Sequence, residues 1–403
     1  MTPPAVAADL ERWRRDTPGC RTRIHLNNAG AGLMPSSVVD AMKAHLDLEA
    51  QIGGYEAAGE KKDEIGEFYV EIAKLIGAKS RNIAFAGSAT AAYAQALSSI
   101  PFAPGDQILT TREDYISNQI AFLSMQKRFG IEVVRAPSLA AGGVDVEGLI
   151  RSLDRRRPRL VAVTHVPTNS GLVQPVEEIG RACRERELLY LVDACQSVGQ
   201  RAIDVEAIGC DFLSATGRKF LRGPRGTGFL YVSDRVLAGR LEPLFLDMRG
   251  AEWISADTYA PSPTAARFED WEFPYALVLG LAEATRYAMR VGIDRIASRS
   301  PDLARRLRER LAGIPGVRVL DRGPELCAIV TAAIPSREAT SFQAELNQRR
   351  INAALSLRNY AVLDFDEKNV DWAIRFSPHY YNTEEEIEAS GVAVEEILAT
   401  RTR

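Results

Sequence analysis

An acid and a lysine stand at the ends of two neighbouring apolar runs in the middle of the chain. Asp193 closes the run Tyr190–Val192, and Lys219 follows the run Phe212–Ala215 after a small polar turn. A glycine-rich stretch at 223–228 then leads into another apolar run. Open α/β sheets bind ligands at the carboxyl ends of their strands. We therefore expect the carboxylate and the amine to face one ligand.

This pair suits the chemistry of pyridoxal phosphate (PLP). A carboxylate keeps the pyridine nitrogen protonated, and a lysine amine forms a Schiff base with the aldehyde. Neither residue is informative alone, but their order along the chain favours a PLP site. The alternative for Lys219 is a solvated surface lysine, which the strand and glycine context disfavours.

The segment resembles the class V aminotransferases of PLP fold type I, which include cysteine desulfurases, isopenicillin N epimerase-like proteins, kynureninases and C–S lyases. Their pattern is a strand ending in Asp-x-x-Gln, then Ser/Thr-Gly-His-Lys, then Gly-Pro-x-Gly-x-Gly. The chain matches it at Asp193, Gln196, Thr216, Gly217, Lys219, Gly223, Pro224, Gly226 and Gly228. It departs at Arg218, where desulfurases carry histidine. The likeness extends from HLNNAGAG (25–32) to RFSPHYYNT (375–383).

Short apolar runs alternate with amphipathic helical patterns from residue 83 to residue 232. This alternation predicts an α/β fold with a mostly parallel sheet and helices on both faces. The predicted strands are 83–86, 107–111, 131–136, 159–166, 189–194, 211–216 and 228–232.

The later part of the chain predicts a smaller α+β domain. A helical pattern runs from Pro274 towards Ala297, and Ser300-Pro301 is expected to open another helix, which Gly313 ends. Strands are expected at 317–320, 325–334 and 372–377, and a capping box at Thr383 opens a final helix. We divide the chain into an N-terminal segment (1–25), a large PLP-binding domain (26–290) and a small C-terminal domain (291–403).

Small residues follow the first predicted strand, at the start of a helix. Backbone N–H groups at such a helix N-terminus stabilise a phosphate, and the resemblance implies that Ser88 and Ala89 bind that of PLP. The alternative for Ser88 is an ordinary N-cap. Thr216 and Arg218 are expected to reach the same phosphate, because a guanidinium matches phosphate geometry.

The resemblance also implies contacts to the cofactor ring. Tyr115, rather than Asp114, is expected to stack on the pyridine face, the alternative being a core or interface tyrosine. Thr168 aligns with a residue that hydrogen-bonds the phenolic oxygen, and Asn169 is the fallback. Gln196 belongs to the same cofactor set.

The resemblance places the substrate carboxylate on Arg375, since bidentate binding fixes orientation as well as charge. The alternative is a strand arginine paired with a nearby acid. Asn28 is expected to line the same pocket.

A missing cysteine narrows the reaction type. Desulfurases carry a mobile cysteine before their Arg-x-Ser segment, whereas residues 355–375 here contain none. We therefore favour β-elimination from a cysteine conjugate (a C–S lyase) over persulfide-forming desulfuration. An aminotransferase and an epimerase stay open. A non-catalytic scaffold is disfavoured by the presence of Lys219 and Asp193, and a nucleotide-binding oxidoreductase by the lack of G-x-G-x-x-G.

Composition excludes several other classes. A net charge of −3 lacks the basic excess of nucleic-acid binders, and no apolar run is long enough for a membrane span. The five cysteines and four histidines are scattered, so we expect no metal site and a reduced, cytoplasmic protein. The resemblance implies a homodimer in which Arg267 and the aromatic-rich segment 267–275 lie near the partner's cofactor site. The alternative for this segment is a wall of the substrate pocket.

Overall fold

The computed structural model describes residues 4–239 and 241–400 as helices, strands and connecting segments. The fifteen described strands are β1 (Ile24–His25), β2 (Ile83–Ala86), β3 (Gln107–Thr110), β4 (Glu132–Arg135), β5 (Leu160–Thr164), β6 (Leu189–Asp193), β7 (Phe212–Thr216), β8 (Gly228–Val232), β9 (Ala251–Ser255), β10 (Thr258–Pro261), β11 (Arg318–Val319), β12 (Val330–Ala333), β13 (Ile351–Asn352), β14 (Ala354–Leu357) and β15 (Trp372–Phe376).

The fifteen described α-helices are α1 (Pro4–Arg15), α2 (Ser36–Ile52), α3 (Gly54–Glu60), α4 (Lys62–Ile76), α5 (Ala89–Ser98), α6 (Ile116–Phe129), α7 (Val146–Arg156), α8 (Val176–Glu185), α9 (Val205–Ile208), α10 (Asp234–Ala238), α11 (Tyr275–Val291), α12 (Ile293–Ala312), α13 (Ala339–Gln348), α14 (Val362–Lys368) and α15 (Glu384–Ala399). None of these helices combines the length and apolar composition that crossing a bilayer requires.

Seven strands form the main sheet, in the order β2-β8-β7-β6-β5-β3-β4. Strand β8 runs antiparallel to both of its neighbours, and the other pairs are parallel. Successive residues of a strand point to opposite faces. In β5, Val161 and Val163 accordingly join one hydrophobic cluster, while Leu160 and Ala162 join another. Burial on both faces explains why these strands read as continuous apolar runs.

A second, antiparallel sheet has the order β11-β12-β15-β14, and its own hydrophobic cluster is joined by α12 and α15. The predicted fold class is confirmed: a mostly parallel sheet is accompanied by a smaller α+β unit. The domain boundaries at 25 and 290 stay a prediction.

Two helix boundaries in the second half were predicted wrongly. The helical pattern after Pro274 is interrupted at Gly292, whose φ of 95° is accessible to glycine. Helix α12 then begins at Ile293 and passes through Pro301, which does not start a helix. The buried side chains of Leu303, Leu307 and Leu311 stabilise α12 despite the proline.

Candidate active site

Strand β6 ends in Asp193, and the turn after β7 carries Lys219, as expected from the sequence. Both residues line a cavity of about 300 Å³ at the carboxyl ends of these strands. The cavity is also lined by Gly87, Ser88, Ala89, Thr90, Tyr115, Asn118, Cys195, Thr216, Arg218, Arg225, Gly226 and Thr227. Seven of the predicted site residues therefore meet in one cavity.

The N-terminus of α5 forms one wall of this cavity. The Ser88 hydroxyl accepts a hydrogen bond from Ala91 N at 3.1 Å, so Ser88 is the N-cap as well as a lining residue. A Cβ on Gly228 would lie 2.9 Å from Ala89 N, so glycine allows β8 to approach the helix start. Arg218 and Arg225 add positive charge, and this set suits a phosphate.

Lys219 is buried, and its Nζ lies 5.7 Å from the centre of the Tyr115 ring. Burial lowers the pKa of Lys219 below its ordinary value, and Arg218 and Arg375 act in the same direction. Cys195 and Asp193 oppose this shift. A neutral amine is therefore favoured beside an aromatic face.

Asp193 is held by two hydrogen bonds, from Cys195 N at 2.9 Å and from Asn118 Nδ2 at 3.1 Å. Asn118 was missed from the sequence because its contact depends on how α6 packs against β6. Cys195 was treated as one of several scattered cysteines, although it lies two residues after the acid and lines the cavity.

A hydrogen-bond network links the remaining predicted residues. Gln196 Nε2 donates to Thr168 Oγ1 at 2.8 Å, and Arg375 donates to the Thr168 carbonyl at 3.0 Å. Gln196 Oε1 and Arg375 Nε are buried without a hydrogen-bond partner among the described residues. Such orphaned groups leave room for a polar ligand.

Arg375 makes no salt bridge with any described acid, unlike the paired strand arginine of the alternative interpretation. Its guanidinium contacts the Thr168 carbonyl and, at 3.4 Å, Asn27 Oδ1. Burial lowers its pKa to about 10, and Arg218 adds to the effect. A buried cation with neutral partners suits an incoming carboxylate.

Asn28 is not among the residues that line the lysine cavity. It is fully buried, its Nδ2 donates to Ser377 O at 2.8 Å, and its Oδ1 accepts from Tyr381 OH at 2.5 Å. Because both ends of the amide are used inside the protein, Asn28 joins the N-terminal segment to the C-terminal one. The neighbouring Asn27 contacts Arg375 instead.

The expected place of Arg267 near a partner subunit stays a prediction. Its guanidinium is buried in its own chain and donates to the carbonyls of Ser262, Leu241 and Leu237. Within 267–275, Trp271 is the large aromatic residue that stays exposed.

Fold and cavity together define a PLP enzyme of fold type I, since a lysine, an acid and an anion-binding helix start meet at the strand ends. The family model for class V aminotransferases matches residues 24–389. The chain belongs to this family and uses PLP.

Known relatives cover almost the whole chain. A probable cysteine desulfurase of Methanothermobacter thermautotrophicus is 31% identical over 96% of this chain and 98% of its own. A probable hercynylcysteine sulfoxide lyase of Mycobacterium tuberculosis is 28% identical over 97% of this chain and 94% of its own. The solved apo cysteine desulfurase of Thermococcus onnurineus superposes with a TM-score of 0.88 at 25% identity, covering 99% of both chains.

Proposed function

We propose that the enzyme is a C–S lyase that removes the sulfur substituent of a cysteine conjugate by β-elimination, without an enzyme-bound persulfide. The proposal rests mainly on the composition and position of the segment 355–375. It contains no cysteine, and it is tied to the active-site loop because Asn169 bonds both Ser356 Oγ at 2.7 Å and Tyr360 O at 3.2 Å. The name of the mycobacterial relative, a sulfoxide lyase, supports the same reaction class.

The cofactor would be held by residues of three kinds. Lys219 would bind it covalently, and Asp193 would keep its pyridine nitrogen protonated. Ser88, Ala89, Thr216 and Arg218 would bind the phosphate; Tyr115, Thr168 and Gln196 would contact the ring and its phenolic oxygen. When bound, PLP withdraws electrons from the substrate Cα.

The substrate would be oriented by Arg375, whose buried guanidinium lacks an acidic partner among the described residues. A carboxylate bound there fixes the rotation of the amino acid, so that the intended bond at Cα is exposed to attack. Lys219 would then remove the Cα proton, because its lowered pKa favours the neutral amine, which is the form able to accept one.

Product analysis tests this function directly. With S-alkyl cysteines we expect stoichiometric thiol, pyruvate and ammonia. Alanine release with a protein-bound persulfide would instead restore a desulfurase. Conversion of the cofactor to its pyridoxamine form, reversed by a ketoacid, would favour an aminotransferase. Inversion at Cα without products would favour an epimerase.

We also propose a cytoplasmic homodimer. The five cysteines are free, as expected in a reducing compartment. Large apolar side chains are exposed around the β9–β10 hairpin, with Phe245 81% and Trp253 79% accessible, and Trp271 lies in the predicted contact segment. Burial of such residues between subunits is favourable. Sedimentation analysis should give a dimer, and Trp253→Ser should weaken it.

A further inference from the structure

A second cavity, of about 320 Å³, lies between α6 and the segment 359–364, which includes the first residues of α14. Its walls include Ile116, Ile120 and Leu123 of α6, and Tyr360 and Val362 of the opposite segment. Its volume exceeds the roughly 150 Å³ that holds a benzene ring in an engineered protein cavity. The space is therefore large enough for a substantial substituent.

This cavity adjoins the candidate active site through two chain segments. Asp114 and Ile116 line it on either side of Tyr115, which faces Lys219. Pro167 and Asn169 line it on either side of Thr168, whose carbonyl binds Arg375. The cavity therefore lies next to the residues that contact Lys219 and Arg375.

The lining favours an apolar occupant. Ile120 and Leu123 are 58% and 50% exposed, so water contacts an apolar wall that a ligand could cover. Two of the three lining acids are already satisfied: Asp114 accepts hydrogen bonds from Thr164 and Asn118, and Asp364 is paired with Lys368 at 2.7 Å. The third, Glu113, has one carboxylate oxygen buried without a partner among the described residues.

Two arginines line the same cavity. Arg112 lies 3.6 Å from Glu367 and Arg135 donates to Gln119 Oε1 at 2.9 Å. The opposite wall is held in place, since Arg322 pairs with Glu367 at 2.8 Å and Asn169 binds Tyr360 O. Because this wall is already ordered, less conformational entropy is lost when a ligand binds.

We propose that this cavity receives the sulfur substituent of the substrate, and that the preferred substrates are cysteine conjugates bearing an aryl or branched alkyl group. The inference rests on the proposed lyase function. In the overall reaction the Cβ–S bond breaks, the sulfur leaves as R–SH with one proton, and one water converts the remaining three-carbon unit to pyruvate and ammonium. No net oxidation occurs.

Kinetics of matched substrates test the cavity. For the holoenzyme, kcat/KM for S-benzyl-L-cysteine should exceed that for S-methyl-L-cysteine by roughly tenfold or more, because added apolar contact in a pocket is worth that much. Ile120→Ser should abolish most of this preference and leave the S-methyl value within about twofold. Val392→Ser removes an exposed β-branched residue from α15, away from the cavity, and should change neither value.

Calorimetry on Lys219→Ala loaded with PLP separates the two proposals, because this variant should bind conjugates without turning them over. Tighter binding of the S-benzyl compound, lost in Lys219→Ala/Ile120→Ser, supports the cavity even if no pyruvate is ever formed. In that case only the lyase function is overturned. Elimination from both conjugates with equal kcat/KM and equal affinity overturns the cavity and leaves the lyase standing.

Discussion

Asn118 donates from its Nδ2 to Oδ2 of Asp193 at 3.1 Å, and the same nitrogen lies 3.0 Å from Oδ1 of Asp114. One amide on α6 therefore orients the carboxylate that closes β6. A hydrogen bond to a charged group contributes about 1.5–3 kcal/mol, and its donor favours the ionised form.

Asn118→Ala should reduce turnover by roughly tenfold to a hundredfold, as that free energy implies. The holoenzyme's visible absorbance should also become more sensitive to acid. Gln119→Ala, which removes a donor to Asp114 alone, is the matched control. Equal acid sensitivity in both variants would show that Asn118 does not act through Asp193.

Asp193→Asn should fold and bind the cofactor but lose most of its turnover. A neutral amide cannot stabilise a protonated pyridine nitrogen, so the cofactor would withdraw electrons poorly from Cα. Steady-state kinetics and the absorbance spectrum check this outcome. Normal turnover in Asp193→Asn would remove Asp193 from the proposed mechanism.

Lys219→Ala should lose both the covalent attachment of the cofactor and turnover. Borohydride reduction followed by peptide mass spectrometry should place the cofactor on Lys219 in the wild-type protein. Lys127→Ala, at an exposed position on α6, serves as the control and should behave as wild type. Full activity in Lys219→Ala contradicts the central assignment.

Loading of the apoenzyme should depend on pH with a midpoint below the ordinary pKa of lysine. Burial lowers the pKa of Lys219, so its amine becomes neutral, and reactive towards the aldehyde, at a lower pH than a solvated lysine. Arg218→Gln removes a cation that lowers this pKa and should move the midpoint upwards. The midpoint is obtained from the rate at which visible absorbance appears at each pH. An unchanged midpoint in Arg218→Gln would show that Arg218 does not lower the pKa of Lys219.

Turnover should not require any thiol. The thiol that lines the cavity is Cys195, and burial and Asp193 raise its pKa well above the usual range, which disfavours the nucleophilic thiolate. Cys195→Ala should keep the products unchanged. Single replacements of the four buried cysteines, Cys20, Cys183, Cys210 and Cys327, should lower thermal stability more than turnover. A persulfide found on any cysteine during turnover contradicts this prediction.

The sequence predicted the main sheet well because its strands are covered on both faces and read as apolar runs. Strand β8 was predicted with both of its ends, Gly228 and Val232. Asp193 and Lys219 could be predicted for the same reason, since Asp193 ends one clearly marked strand and Lys219 follows another. Parts of the site that depend on packing between distant segments could not be predicted, as Asn118 shows.

Local sequence patterns gave wrong or missing predictions where tertiary packing overrides them. Pro301 marks a helix start in the sequence, yet buried leucines carry α12 through it. The β9–β10 hairpin went unpredicted, because its side chains are mostly exposed and show no alternation between apolar and polar faces.

The parallel pairing of β1 with β13 joins Ile24 to Ile351 and His25 to Asn352, and Asn27 pairs with Ser377 just beyond it. During synthesis the main sheet can assemble once β8 has left the ribosome, since domains generally fold as units from the N-terminus. The segment around Asn27 must wait for more than a hundred further residues. A nascent chain would thus acquire the lysine cavity well before the arginine that orients its substrate, and an intermediate able to bind cofactor but not substrate should precede the finished enzyme.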